Sequence, residues 1–115
     1  MAESISPILR VADAFVALPW YERLGFEQVS LHRFGPGMPV YLIVRRGDVH
    51  IHLSEHLGDA RPGGLAYLWV DDVDAVAAEF GTVIEDNPWA RDTQLVDPDG
   101  NRIRVGTSTG SPAAD

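Results

Sequence analysis

The chain contains no cysteine, which removes a disulfide framework, a zinc–thiolate site and a thiol nucleophile from consideration. It contains no lysine either, since all nine basic residues are arginine, so Schiff-base chemistry has no amine to use. No apolar run approaches the roughly 20 residues that a membrane-spanning helix needs. Met1-Ala2-Glu3-Ser4 carries neither a basic segment nor an apolar one of the secretory kind, and the expected location is the cytoplasm. Positive charge is scarce as well: 17 acidic side chains against nine basic ones leave a net charge of −8. Such a surface repels phosphate backbones, so nucleic-acid binding is not expected. It favours solubility, and it would concentrate a cationic ligand.

What is present is a core-forming composition, 45% hydrophobic over 115 residues, enough for a single domain spanning residues 1–115. A domain of this size buries a modest share of its surface, and a partner subunit would add to it. The pattern reads as two related halves. Ile5 to Val11 is a short apolar strand, and Ala14 to Leu24 follows with apolar residues at helical spacing, closed by Gly25. Pro19 inside that helix implies a kink or a late restart. Three strands come next, Phe26 to Phe34, Met38 to Arg45 and Val49 to Ser54, separated by Gly35-Pro36-Gly37 and Arg46-Gly47-Asp48. Beyond the 58–64 linker the order repeats: strand Leu65 to Asp71, helix Asp72 to Phe80, then strands Thr82 to Glu85, Asp92 to Val96 and Arg102 to Thr107. Asp97-Pro98-Asp99-Gly100-Asn101 is a strong turn signal between the last two. The fold class is therefore α+β, with two strand–helix–three-strand modules at about 5–57 and 64–107 and a flexible tail at 108–115. One helix covers one face of each module's sheet, and the uncovered faces line a concave groove with the helices outside.

Several segments resemble the vicinal-oxygen-chelate superfamily of glyoxalases, extradiol dioxygenases, fosfomycin-resistance enzymes and bleomycin-resistance proteins. Trp20-Tyr21-Glu22-Arg23-Leu24-Gly25-Phe26 is similar to its first-helix pattern, and Asp97-Pro98-Asp99-Gly100-Asn101 to its last turn. Three further segments resemble the bleomycin-binding branch: Leu65-Ala66-Tyr67-Leu68-Trp69-Val70, Asn87-Pro88-Trp89-Ala90-Arg91-Asp92, and Asp48-Val49-His50-Ile51-His52-Leu53-Ser54. Pro7 resembles the proline from which that branch swaps its first strand between subunits, and it also fits an ordinary edge-strand proline. The 81–87 link is shorter than the branch's usual groove wall.

The resemblance places metal-ligand positions on Ser6, His52, Leu65 and Arg104. Only His52 can bind a divalent ion, because leucine has no donor atom and arginine is a fixed cation. One imidazole cannot hold a catalytic metal, so the expectation is no metal, no cofactor and no catalytic residue. Period-2 alternation puts His50 and His52 on one strand face and Tyr67 and Trp69 on another, where flat aromatic surfaces suit planar, cationic guests. Trp89, held after Pro88, belongs at the mouth of the groove; Phe34 and Tyr41 are further aromatic candidates. Glu85, Asp86 and Asp92 supply negative potential, while Arg104, with Arg102, shares the groove-facing parity. The ligand-binding set is thus Tyr67, Trp69, Trp89, His50, His52, Phe34 and Arg104. The reading that follows is a homodimeric protein that sequesters a bleomycin-like antibiotic, or another planar compound, without chemistry. A metal-dependent lyase or isomerase, and a fold-mate that binds another small metabolite, are the alternatives.

Overall fold

Strand alternation and helix caps together explain the architecture seen in the computed structural model, which describes residues 3–33 and 35–110. The elements run β1 (Ile8–Arg10), α1 (Ala14–Arg23), β2 (Glu27–His32), β3 (Tyr41–Arg46), β4 (Val49–Ser54), β5 (Leu65–Trp69), α2 (Val73–Phe80), β6 (Glu85–Asp86), β7 (Ala90–Val96) and β8 (Arg102–Ser108). They form two four-stranded sheets of the same design, ordered β1-β4-β3-β2 and β5-β8-β7-β6. In each, the first strand lies parallel to the last and the other pairings are antiparallel. The described residues divide into two compact units, one within Met1–Gly64 and Asp97–Asn101, the other within Leu65–Val96 and Arg102–Asp115. No helix among them is long and apolar enough to cross a membrane.

In the first unit, Asp13 caps α1 by accepting from the amides of Phe15 at 2.9 Å and Val16 at 3.4 Å. The helix runs unbroken through Pro19, so the late restart does not occur there. It ends at Leu24, followed by Gly25 at φ 90°, a conformation that side chains resist. Ala14, Ala17 and Tyr21 form its buried stripe. Under it lie the alternate residues Leu42 and Val44 of β3 and Ile51 and Leu53 of β4, all buried. The first strand is shorter than its apolar run, since Ile5 is 95% exposed. Only from Pro7, whose carbonyl accepts from the amide of His52 at 3.0 Å, does the chain bond to β4. β3 starts at Tyr41 instead of Met38, because Pro39 has no amide to donate and the amide of Val40 is taken by Glu55 Oε1 at 3.0 Å.

The 97–101 turn is grouped with this first unit and is tied to it by several side-chain hydrogen bonds. Asp97 Oδ1 accepts from the amides of Asp99 and Asn101, both at 2.8 Å. Its Oδ2 accepts from the Tyr21 hydroxyl at 2.7 Å and from Asn101 Nδ2 at 2.9 Å. Asn101 in turn donates to the carbonyl of Arg10 and accepts from the amide of Gly64, each at 2.8 Å. Burial and the neighbouring Asp97 carboxylate push the Tyr21 hydroxyl far above the usual tyrosine range, so it stays a donor at all working pH.

In the second unit, α2 is capped by Asp72 and closed by Gly81 in the left-handed region at φ 67°. Val73, Val76 and Ala77 are its buried residues, and it packs on β7 and β8. β6 is displaced to Glu85–Asp86 from the Thr82 to Glu85 run that the sequence suggests. The amide of Thr82 returns to the carbonyl of Ala77 at 3.0 Å, and the Thr93 hydroxyl takes the carbonyl of Val83 at 3.0 Å, so these two groups are withdrawn from strand pairing. The start of the expected tail is bonded: Ser108 pairs with Ala90, and the amide of Thr109 donates to the carbonyl of Trp89 at 3.1 Å. Residues 111–115 of that expected tail lie outside the described residues.

Replacing Tyr21 by Phe leaves the buried Asp97 carboxylate one donor short. The expected loss is about 2 kcal/mol of unfolding free energy. Exposed Glu22→Ala should change stability by less than about 0.5 kcal/mol. Urea denaturation of both variants checks the contrast.

Candidate functional site

Each sheet hides one face under its helix and leaves the other to solvent, and the open faces differ in chemistry. On the first sheet the register places Ile8, His52 and Ile43 in one row across β1, β4 and β3, and His50 opposite Arg45. His50 and His52 are half-buried while Ile51 and Leu53 between them are buried, as period-2 alternation requires. The Tyr41 hydroxyl lies 2.6 Å from His52 Nδ1, with the two rings edge-on at 5.3 Å. Burial, with His50 adding, lowers the His52 pKa below the ordinary histidine value. Burial raises that of Tyr41, helped by Asp59. The cations nearby are engaged: Arg45 pairs with Glu27 at 2.7 Å, and Arg10 donates to the carbonyls of Val11 and Ser54.

On the second sheet Leu65, Tyr67 and Trp69 face solvent from β5, opposite Arg102, Arg104 and Gly106 of β8, which in turn face Val96, Gln94 and Asp92 of β7. Tyr67 and Trp69 are 37% and 54% exposed, with ring centroids 4.6 Å apart and planes inclined at 39°. The Tyr67 ring reaches across β8 and its hydroxyl donates to Asp92 Oδ2 at 3.0 Å. That crossing requires Gly106, where a β-carbon would stand 2.2 Å from the Tyr67 hydroxyl oxygen. Desolvation, the hydrogen bond to Asp92 and the charge of Asp92 push the Tyr67 pKa up to about 12, against the opposing pull of Arg104. Arg104 Nε donates to Gln94 Oε1 at 3.3 Å, and Asn87 Nδ2 donates to Asp92 Oδ1 at 3.3 Å.

Beside this face lies a hollow of about 650 Å³, with Trp89, Thr82, Glu85, Asp92, Gln94 and Arg104 among its walls. Glu85 and Asp92 are directly opposed on β6 and β7. Two carboxylates so placed repel each other, and a cation between them relieves the repulsion.

Of the residues singled out from sequence, Tyr67, Trp69 and Arg104 therefore share one face, with Trp89 in the wall of the adjoining hollow. His50 and His52 lie on the open face of the other unit. Phe34 lies outside the described residues. Asp92 as hydrogen-bond acceptor, Gln94 and Gly106 are contributors the sequence reading passed over. The parity of the β7–β8 hairpin around the 97–101 turn was the signal that pointed to them.

The donor set does not fit a metal of the superfamily's kind. Leu65 offers no donor atom, the Arg104 cation is turned to Gln94, and His52 already uses Nδ1. Among the described residues no three His, Cys, Asp or Glu side chains come together to hold an ion. Gly106-Thr107-Ser108-Thr109-Gly110 has the Gly-x-Ser-x-Gly spelling of a hydrolase serine. That chemistry needs a serine on a strained strand-to-helix turn, whereas Ser108 sits within β8 paired to Ala90 and accepts from the amide of Gly110 at 3.1 Å.

No curated protein matches the chain in sequence. Among solved structures it is similar to TnmS3, an antibiotic binding protein from Streptomyces sp. CB03234, with 28% identity over 95% of this chain and 99% of that one and a TM-score of 0.76. It is also similar to a member of the glyoxalase/bleomycin resistance protein/dioxygenase superfamily from Sphaerobacter thermophilus DSM 20745, with 27% identity over 94% and 98% of the two chains and a TM-score of 0.70. A bleomycin resistance determinant encoded on transposon Tn5 shares the fold, at 23% identity over 94% and 99% of the two chains and a TM-score of 0.75. The model of the family described as glyoxalase superfamily protein matches residues 1–110, and the chain belongs to that family.

Proposed function

We propose that this protein binds a bulky planar antibiotic of the bleomycin kind, or a similar flat compound, and sequesters it as a cytoplasmic homodimer without chemistry. The observation that carries this reading is the Tyr67–Trp69 pair. Two aromatic rings, held 4.6 Å apart on an open sheet face, are left to water where one helix cannot cover them. Exposed aromatic surface of this kind is stabilised by a flat guest, and the rigid rings lose little entropy on binding one. Gly106 and Asp92 fix the Tyr67 ring in place before any ligand arrives. Glu85 and Asp92 beside Trp89 suit a guest that carries a positive charge next to its ring system. The likeness to an antibiotic binding protein at 28% identity supports the same reading. The donor chemistry at Leu65 and Arg104 favours binding over metal-assisted turnover.

Titrating the full-length protein with metal-free bleomycin should quench tryptophan fluorescence to a stoichiometric end point, with no product formed. Trp69→Ala should weaken binding by about tenfold, or roughly 1.4 kcal/mol, as expected for a central aromatic anchor. Gly106→Ala, which forces Tyr67 off Asp92, should weaken it by a similar factor, while Glu22→Ala leaves it unchanged. Raising the ionic strength should weaken binding further, since attraction between the acidic site and a cationic guest is screened. Sedimentation should report a dimer. A flat titration ends the proposal.

A further inference from the structure

His52 is unusual in its row. Ile8 stands directly opposite on β1 and Ile43 directly opposite on β3, so the imidazole is flanked by aliphatic side chains on the same face. Its Nδ1 meets the Tyr41 hydroxyl at 2.6 Å. At that separation a single proton is shared between the nitrogen and the oxygen. A phenol is the better donor of the two, and an imidazole nitrogen the better acceptor. The shared proton therefore belongs to Tyr41. A neutral imidazole that accepts at Nδ1 carries its own proton on Nε2. Burial holds His52 below the usual histidine pKa, which favours that neutral form at physiological pH. No buried side-chain nitrogen among the described residues lacks a partner, and Tyr41 is the one partner found for His52, so Nε2–H opens onto accessible space.

We infer that Tyr41 fixes His52 as the Nε2–H tautomer, making it a hydrogen-bond donor to a neutral acceptor oxygen on an apolar ligand. A protonated Nε2 has no lone pair to give a metal, and Nδ1 is occupied by the phenol. The ligand group is neutral because the neutral imidazole offers an N–H and no net charge, and Arg45 on the neighbouring strand already has its counter-ion in Glu27. Isoleucines on both sides favour an apolar skeleton around the acceptor. The inference stands on the first sheet alone and does not depend on what Tyr67 and Trp69 hold.

Two-bond proton–nitrogen correlation spectra of the full chain, labelled with nitrogen-15 histidine at neutral pH, test it. His52 should show the Nε2–H pattern. Tyr41→Phe should move it toward a tautomer mixture while His50 keeps its own pattern, which reports that the sheet is intact. Equimolar zinc should leave the His52 signals in place. Cyclohexanone, a neutral carbonyl on an apolar ring, should shift them saturably in the millimolar range, whereas cyclohexylammonium, the same skeleton bearing a cation, should not. The inference is overturned by an Nδ1–H pattern in the unmodified protein, by an unaltered His52 in Tyr41→Phe, by one-to-one zinc binding at His52, or by a ketone without effect. These signals are read whether or not bleomycin binds, so the two proposals fail separately.

Discussion

The constraint on which the rest depends is geometric: one helix of eight or ten residues can cover one face of a four-stranded sheet, and only one. Every strand then has to sort its residues by parity, aliphatic toward the helix and the rest toward the open face. Leu42 and Val44 of β3, Ile51 and Leu53 of β4, and Ile103 and Val105 of β8 are buried on the helix side. Tyr41, His50, His52, Tyr67, Trp69 and Arg104 are their alternates. The open faces are thus the remainder of a packing problem. A slip of one residue in any strand would exchange core for site.

Duplicated topology does not mean duplicated chemistry. Both sheets are built in the same strand order, yet one open face presents an imidazole between isoleucines, with a second opposite Arg45, and the other presents paired aromatic rings beside guanidinium and carboxylate groups. The difference is carried by a few positions. Gly106 is the clearest, because the missing β-carbon lets a tyrosine span a neighbouring strand and bond to Asp92. Where the first sheet places Tyr41 against His52 on adjacent strands, the second places Tyr67 against Asp92 across an intervening one. In both, a phenol holds a polar group in a set orientation.

Much of this was legible from local pattern. Strand and helix order, the repeat of the module, the closure of the first helix at Gly25 and the parity of His50/His52 and of Tyr67/Trp69 follow from residue spacing, because alternation and capping act over one to four residues. Element ends were harder to place. β3 and β6 start later than their expected runs where a backbone amide or carbonyl is claimed elsewhere, at Val40 by Glu55 and at Val83 by Thr93. Such competition is settled by residues that are distant in sequence or on another strand.

The amino-acid order alone determined the α+β class, the twofold repeat, the anionic lysine-free surface and the lack of a donor at positions 65 and 104, since each depends on residue identity or near neighbours. Only the tertiary structure decided that Tyr41 meets Nδ1 of His52, that Tyr67 crosses Gly106 to Asp92, and that the Asp97 turn joins the first unit by way of Tyr21, Arg10 and Gly64. Those contacts join residues 11 to 91 positions apart, and strand register, which no local pattern specifies, is what brings most of them within hydrogen-bonding distance.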